Sequence, residues 1–108
     1  MTPRLHRAAN DHLTLDFETV DTPLWSAIAT HLESTLGFAR VGHAVEGAGE
    51  GIHPDFRKGD VRLSAGWDEW SGDYLLANCA RGDALLTSLF AVISVDGEFI
   101  ASASIAWE

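Results

Sequence analysis

Apolar and polar positions alternate from residue 61 to residue 67, with Val61, Leu63, Ala65 and Trp67 set against Arg62, Ser64 and Gly66. A period of two sends one set of side chains to each face of a sheet, so this stretch predicts a strand. Residues 68–73 break the alternation with the turn signal Ser71-Gly72-Asp73, and Tyr74, Leu75, Leu76 and Ala77 begin a second strand. The two form a predicted β-hairpin whose strands, through Val61, Leu63, Leu75 and Ala77, are core scaffold. Its tip gathers Trp70 and Tyr74 with Asp68, Glu69 and Asp73. The same period recurs over 12–18, where Leu13, Leu15 and Phe17 oppose His12, Thr14, Asp16 and Glu18. That predicts a strand with one wet face.

A longer period governs 23–36, where Leu24, Trp25, Ile28, Leu32 and Leu36 recur at helical spacing. Thr22 suits the N-cap, Pro23 the first turn, where no N–H is needed, and Asp21 the positive end of the helix dipole. Gly37 suits the left-handed residue that ends a helix. Trp25 lies on the apolar stripe and is expected as a core anchor. Residues 38–45 predict a short strand, with Ala39, Val41, His43 and Val45 on one side. Residues 46–60, with four glycines and Pro54, read as a long connection holding at most a short extended piece around Ile52.

Beyond the hairpin, Arg81-Gly82-Asp83 reads as a strand-to-helix turn in which Asp83 caps a helix running to about Ser94. Leu85, Leu86, Leu89, Phe90 and Ile93 form its apolar face. The competing reading is a second hairpin of 89–95 and 98–105 about Asp96-Gly97. Residues 98–107 alternate and predict a closing strand. The order β-α-β-β-β-α-β predicts an α+β fold: a mainly antiparallel sheet of about five strands with two helices packed on one face, close to a split βαβ arrangement.

The length of 108 residues fits one domain over 11–108, preceded by a flexible arm over 1–10 that carries Arg4 and Arg7. With 46% hydrophobic and 21% charged residues, the chain has an ordinary globular composition. The net charge of −9 argues against nucleic acid and anionic membranes, both of which require clustered Lys and Arg, and favours a basic or neutral protein as partner. A single cysteine, Cys79, excludes an intramolecular disulfide and is expected as an inert thiol in an apolar strand. With no apolar leader and no run of membrane-spanning length, the expected location is cytoplasmic.

Motifs for phosphate, zinc and nucleophilic chemistry are missing, so no cofactor and no metal is expected. Three constellations remain. His12, Asp16 and Glu18 share a strand face that His43 could join, which would give a His-and-carboxylate metal site or an acid/base pair, against the reading of a solvated strand face. His53 lies in a segment of mixed charge, 53–58, that could bind an anionic ligand or hold an acid/base histidine, against the reading in which Asp55 pairs with Arg57 or Lys58 and Phe56 enters the core. The third is the hairpin tip, Asp68, Glu69, Trp70, Asp73 and Tyr74, which joins rigid aromatic area to steering charge as binding hot spots do.

An acidic, single-cysteine chain of this size with the turn WDEWSGDY resembles the small α+β immunity proteins with which bacteria neutralise basic toxin domains. The resemblance is one of general build. It implies a domain that binds and blocks another protein through the tip residues. The rival readings are a small enzyme or ligand-binding domain using the histidines, and a homodimer formed through a strand edge.

Overall fold

The structure, a computed structural model, describes residues 3–93. Among the described residues seven strands form one antiparallel sheet: β1 (Arg4–Arg7), β2 (Leu13–Asp16), β3 (Ala39–Val41), β4 (Val45–Glu46), β5 (Glu50–Lys58), β6 (Val61–Asp68) and β7 (Gly72–Ala77). Their order across the sheet is β1-β2-β7-β6-β5-β3, with β4 also pairing β5. Two helices, α1 (Pro23–Thr30) and α2 (Ala80–Ala91), cover one face. The α+β class and the antiparallel sheet agree with the sequence reading, while the strand count exceeds the expected five.

The hairpin β6–β7 forms as its alternation predicts. Val61, Leu63, Leu75 and Ala77 are buried, joined by Leu15 and Phe17 from β2 and its exit. Helix α1 starts as its caps predict: Pro23 is in the first turn and Thr22 Oγ1 accepts from Trp25 N at 3.2 Å. Its periodic stripe places Leu24, Trp25, Ile28 and Leu32 in the core. The last turn, His31–Thr35, widens into a π-helix before Gly37, in the left-handed region at φ 77°.

The largest difference concerns 46–60, expected as a connection. It contains β5, the longest strand, because a β-bulge hides its period. Between the pairs His53↔Ala65 and Phe56↔Leu63, Pro54 and Asp55 face the single residue Ser64. The extra residue puts His53 and Phe56, three apart, on the same face, which strict alternation would forbid. Proline is tolerated there because a bulge leaves a backbone N–H unpaired anyway. Arg40 fixes the bulge, donating from Nε and Nη2 to Pro54 O at 3.3 and 3.1 Å, with its guanidinium 4.0 Å from the Phe56 ring centre. Asp55 pairs with Arg57 and also with Arg62, at 3.8 and 3.6 Å, and Phe56 is fully buried, as expected of that segment.

Four smaller corrections follow from pairing across the fold. Arg4–Arg7, expected within a flexible arm, is the edge strand β1 on β2. The strand expected over 38–45 divides into β3 and β4 about Gly42, at φ 103°. The polar face of β2 is not wet: Thr14 and Asp16 are buried. Helix α2 begins at Ala80, not Asp83, with Cys79 as N-cap, its Sγ accepting from Gly82 N at 3.4 Å. Residues 89–91 are helical, against the second-hairpin alternative, and the strand expected over 98–107 lies outside the described residues.

Candidate functional site

One end of the sheet collects the tip of β6–β7, the start of β5, the end of β4 and the loop that leaves β2. The tip is held tightly. Asp68 Oδ1 accepts from Trp70 N at 2.9 Å and Ser71 N at 2.6 Å, closing the turn from inside. Gly72, at φ 68°, lies so close to the backbone of Glu18 and Thr19 that a Cβ would come within 2.2 Å of Thr19 N. Glu18 N donates to Ser71 O at 2.7 Å, Asp73 N to Thr19 O at 3.1 Å and Glu69 N to Gly49 O at 3.1 Å. Trp70, at the apex, is 82% exposed.

Beneath the tip the chemistry changes. Asp73 is 2% exposed and so does not belong to the contact surface expected of it. Its Oδ2 accepts from Asp21 N at 2.7 Å, an approach made possible by a loop with Glu18 and Asp21 in the left-handed region. Its Oδ1 accepts from His53 Nε2 at 2.9 Å. A carboxylate only accepts, so the proton of neutral His53 resides on Nε2 and Nδ1 keeps its lone pair. Among the described residues Nδ1 has no protein partner, and it is not enclosed. The imidazole stacks on Trp25, with ring centres 5.1 Å apart and planes at 26°. The histidine borders a cleft of about 370 Å³ with Val20, Asp21, Trp25, Glu46 and Trp67 around it.

The other expected site does not assemble. His12 Nδ1 pairs with Asp83 Oδ2 at 2.9 Å, and Asp83 Oδ1 also accepts from Leu13 N at 2.8 Å. Burial pulls the Asp83 carboxyl upward, but the bonds from His12 and Leu13 and the charges of His12 and Arg7 outweigh it and hold the group below its ordinary value. Asp16 pairs instead with His6 Nε2 at 2.7 Å and with Arg4 at 3.5 Å. His43 is exposed between β3 and β4, on the far side of β7, β6 and β5 from β2, roughly 19 Å across at the usual strand spacing. Among the described residues no three His, Cys, Asp or Glu side chains converge as metal ligands would. Helix α2 and the other described helical segments are too short or too polar to cross a membrane.

Tyr74 is half-buried on the outer face, laid over Gly66 of the neighbouring strand. Burial first, then the charges of Asp68, Glu50 and Asp16, push its hydroxyl pKa up. Trp67 covers Gly51 in the same manner across β5–β6 and forms part of the concave surface on both sides of this end. Sequence reasoning passed over Val20, Val45, Ile52 and Glu46 as site residues, and left Trp67 out of the tip it favoured, on the alternating face of the strand. The signal available was the pairing of an aromatic residue with a glycine, Trp67 with Gly51 and Tyr74 with Gly66, which is legible only once the register is known. Of the six large apolar side chains exposed among the described residues, four (Val20, Val45, Ile52 and Trp70) border this end. Glu18, Asp21, Glu46, Glu50 and Glu69 are exposed between them.

Comparison with known protein families, curated proteins and solved structures finds no match for this chain.

Proposed function

We propose that the protein is a binding domain that docks a basic protein partner against the acidic end of its sheet, in the manner of an inhibitor or immunity protein. The observation that carries the proposal is Trp70, 82% exposed on a turn whose backbone is fixed by Asp68 and by the loop after β2. A large apolar side chain carried on backbone that is already fixed binds with little cost in backbone ordering, and a rigid aromatic ring is the commonest kind of hot-spot anchor. Val20, Val45 and Ile52 extend the apolar area, and the carboxylates between them supply long-range attraction for a positive partner. Two copies meeting through this end would oppose acid with acid, so the favoured partner is a different chain.

The test is affinity capture with the intact chain as bait in extracts of the organism that encodes it, comparing wild type with Trp70→Ala. The expected result is a basic protein retained by wild type, released as salt rises and lost from the variant. Folding stability should stay within about 0.5 kcal/mol, because the side chain is outside the core. Capture of the same partner by Trp70→Ala with undiminished affinity would remove the assignment of this surface.

A further inference from the structure

We infer that the cleft beside His53 is a receptor for a guanidinium group, and that the partner's anchor on this side of the tip is an arginine side chain. The inference rests on the docking reading above and adds the chemistry that the cleft selects. Its volume, about 370 Å³, is within the range of roughly 300–1,000 Å³ typical of small-ligand sites. Three kinds of group meet there. Trp67, partly exposed, supplies indole surface, which attracts cations and, being flat, suits a planar one best, while Trp25 lies mostly buried against His53. Glu46 and Asp21 bring negative charge to the lining, and among the described residues neither lysine nor arginine joins them.

The third group, His53, decides between cations and among polar ligands. In the neutral imidazole Asp73 accepts the hydrogen bond from Nε2–H and Trp25 fixes the ring plane, which leaves Nδ1 as an oriented acceptor. An anion would meet that lone pair and the carboxylates with nothing to offer either. A guanidinium can lie along an indole and still direct N–H donors in its own plane to an imidazole nitrogen and a carboxylate together. An ammonium is compact and more strongly hydrated, and gains less from a flat wall. The site is already formed, because the Asp73 carboxylate is satisfied by Asp21 N and His53 without any ligand.

The experiment titrates the whole protein with N-acetylarginine amide, N-acetyllysine amide and N-acetylcitrulline amide, following the His53 imidazole signals by NMR together with tryptophan fluorescence. The expected result is a saturable shift at His53 with the arginine compound, weaker binding of the lysine compound and no saturable shift with citrulline, which keeps the shape but lacks the charge. Glu46→Gln, a change at an exposed position, should weaken arginine binding about three-fold, and Trp70→Ala should leave the titration unaltered. No saturation with arginine, equal binding of citrulline or lysine, or an unaltered affinity in Glu46→Gln would overturn the inference. The two readings fail distinguishably: loss of the arginine titration with Trp70-dependent capture intact removes only the cleft assignment, and capture indifferent to Trp70 removes the docking reading and the partner's arginine with it, leaving a cleft that binds guanidinium.

Discussion

Gly51 and Gly66 have no side chain because a neighbour's aromatic ring occupies the space. A Cβ on Gly51 would come within 2.1 Å of Trp67 Nε1, and one on Gly66 within 2.5 Å of the Tyr74 hydroxyl. These rings lie across the sheet from the glycines they cover, an arrangement that compensates for a strand position with nothing to pack. Gly51→Ala and Gly66→Ala should each destabilise the fold by about 1–3 kcal/mol, read as a lower urea midpoint at unchanged slope. Adding Trp67→Ala to Gly51→Ala should cost less than the sum of the single changes, since the clash requires both partners. His31 gives a second expectation at this scale. Burial holds its imidazole below the ordinary 6.5, so the neutral form belongs to the fold. As pH falls through 6.5 the unfolded chain takes up the proton first, and the stability present above that pH is progressively lost. In His31→Gln the decline of the urea midpoint between pH 7 and pH 5 should be shallower.

Helix α2 shows how an element is placed by contacts away from its own sequence. Asp83 stands in the first turn, where its charge favours the helix, but its oxygens go to Leu13 N of β2 and to His12 just before it, so it ties the helix to the sheet while Cys79 serves as the cap. Asp83→Asn should destabilise the protein by about 1–2 kcal/mol at pH 7. The folded carboxyl titrates below its ordinary 3.8, so its contribution is present above that value and disappears as pH falls through the folded one. The gap between wild type and variant, measured by denaturation at a series of pH values, should therefore close under acid conditions. Strand β5 makes a related point. Its bulge at Pro54 and Asp55 changes phase, so a nine-residue strand resembles a glycine-rich connection when searched for alternation.

Across the whole molecule, charge is distributed by end. Among the described residues Asp16, Glu18, Glu50, Asp68, Glu69 and Asp73 crowd the tip end of the sheet, with Arg4 beside Asp16, while Arg57, Lys58 and Arg62 stand with Asp55 and Asp60 where β5 meets β6 at the other. With a net charge of −9, self-repulsion at low ionic strength should be relieved by salt. The thermal midpoint is expected to rise by about 4 °C between 10 and 150 mM NaCl, the shift that ~1 kcal/mol produces in a domain of this size. A midpoint indifferent to salt would mean that the acidic end is not under electrostatic load. The sequence by itself determined the elements whose period stays intact: the capped start of α1 at Thr22 and Pro23, the alternation of β2 and the β6–β7 hairpin, while the exposure of Trp70 at its tip was decided by the fold. Local periodicity records the face a residue takes, and a cap or turn residue acts on backbone a few positions away, so both are written in adjacent letters. The tertiary structure alone decided that His53 meets Asp73, that His12 meets Asp83 and that Asp16 meets His6. Such partners are set by strand register, by the one-residue phase change of the bulge and by the closing of loops, none of which leaves a mark on the residues next in the chain.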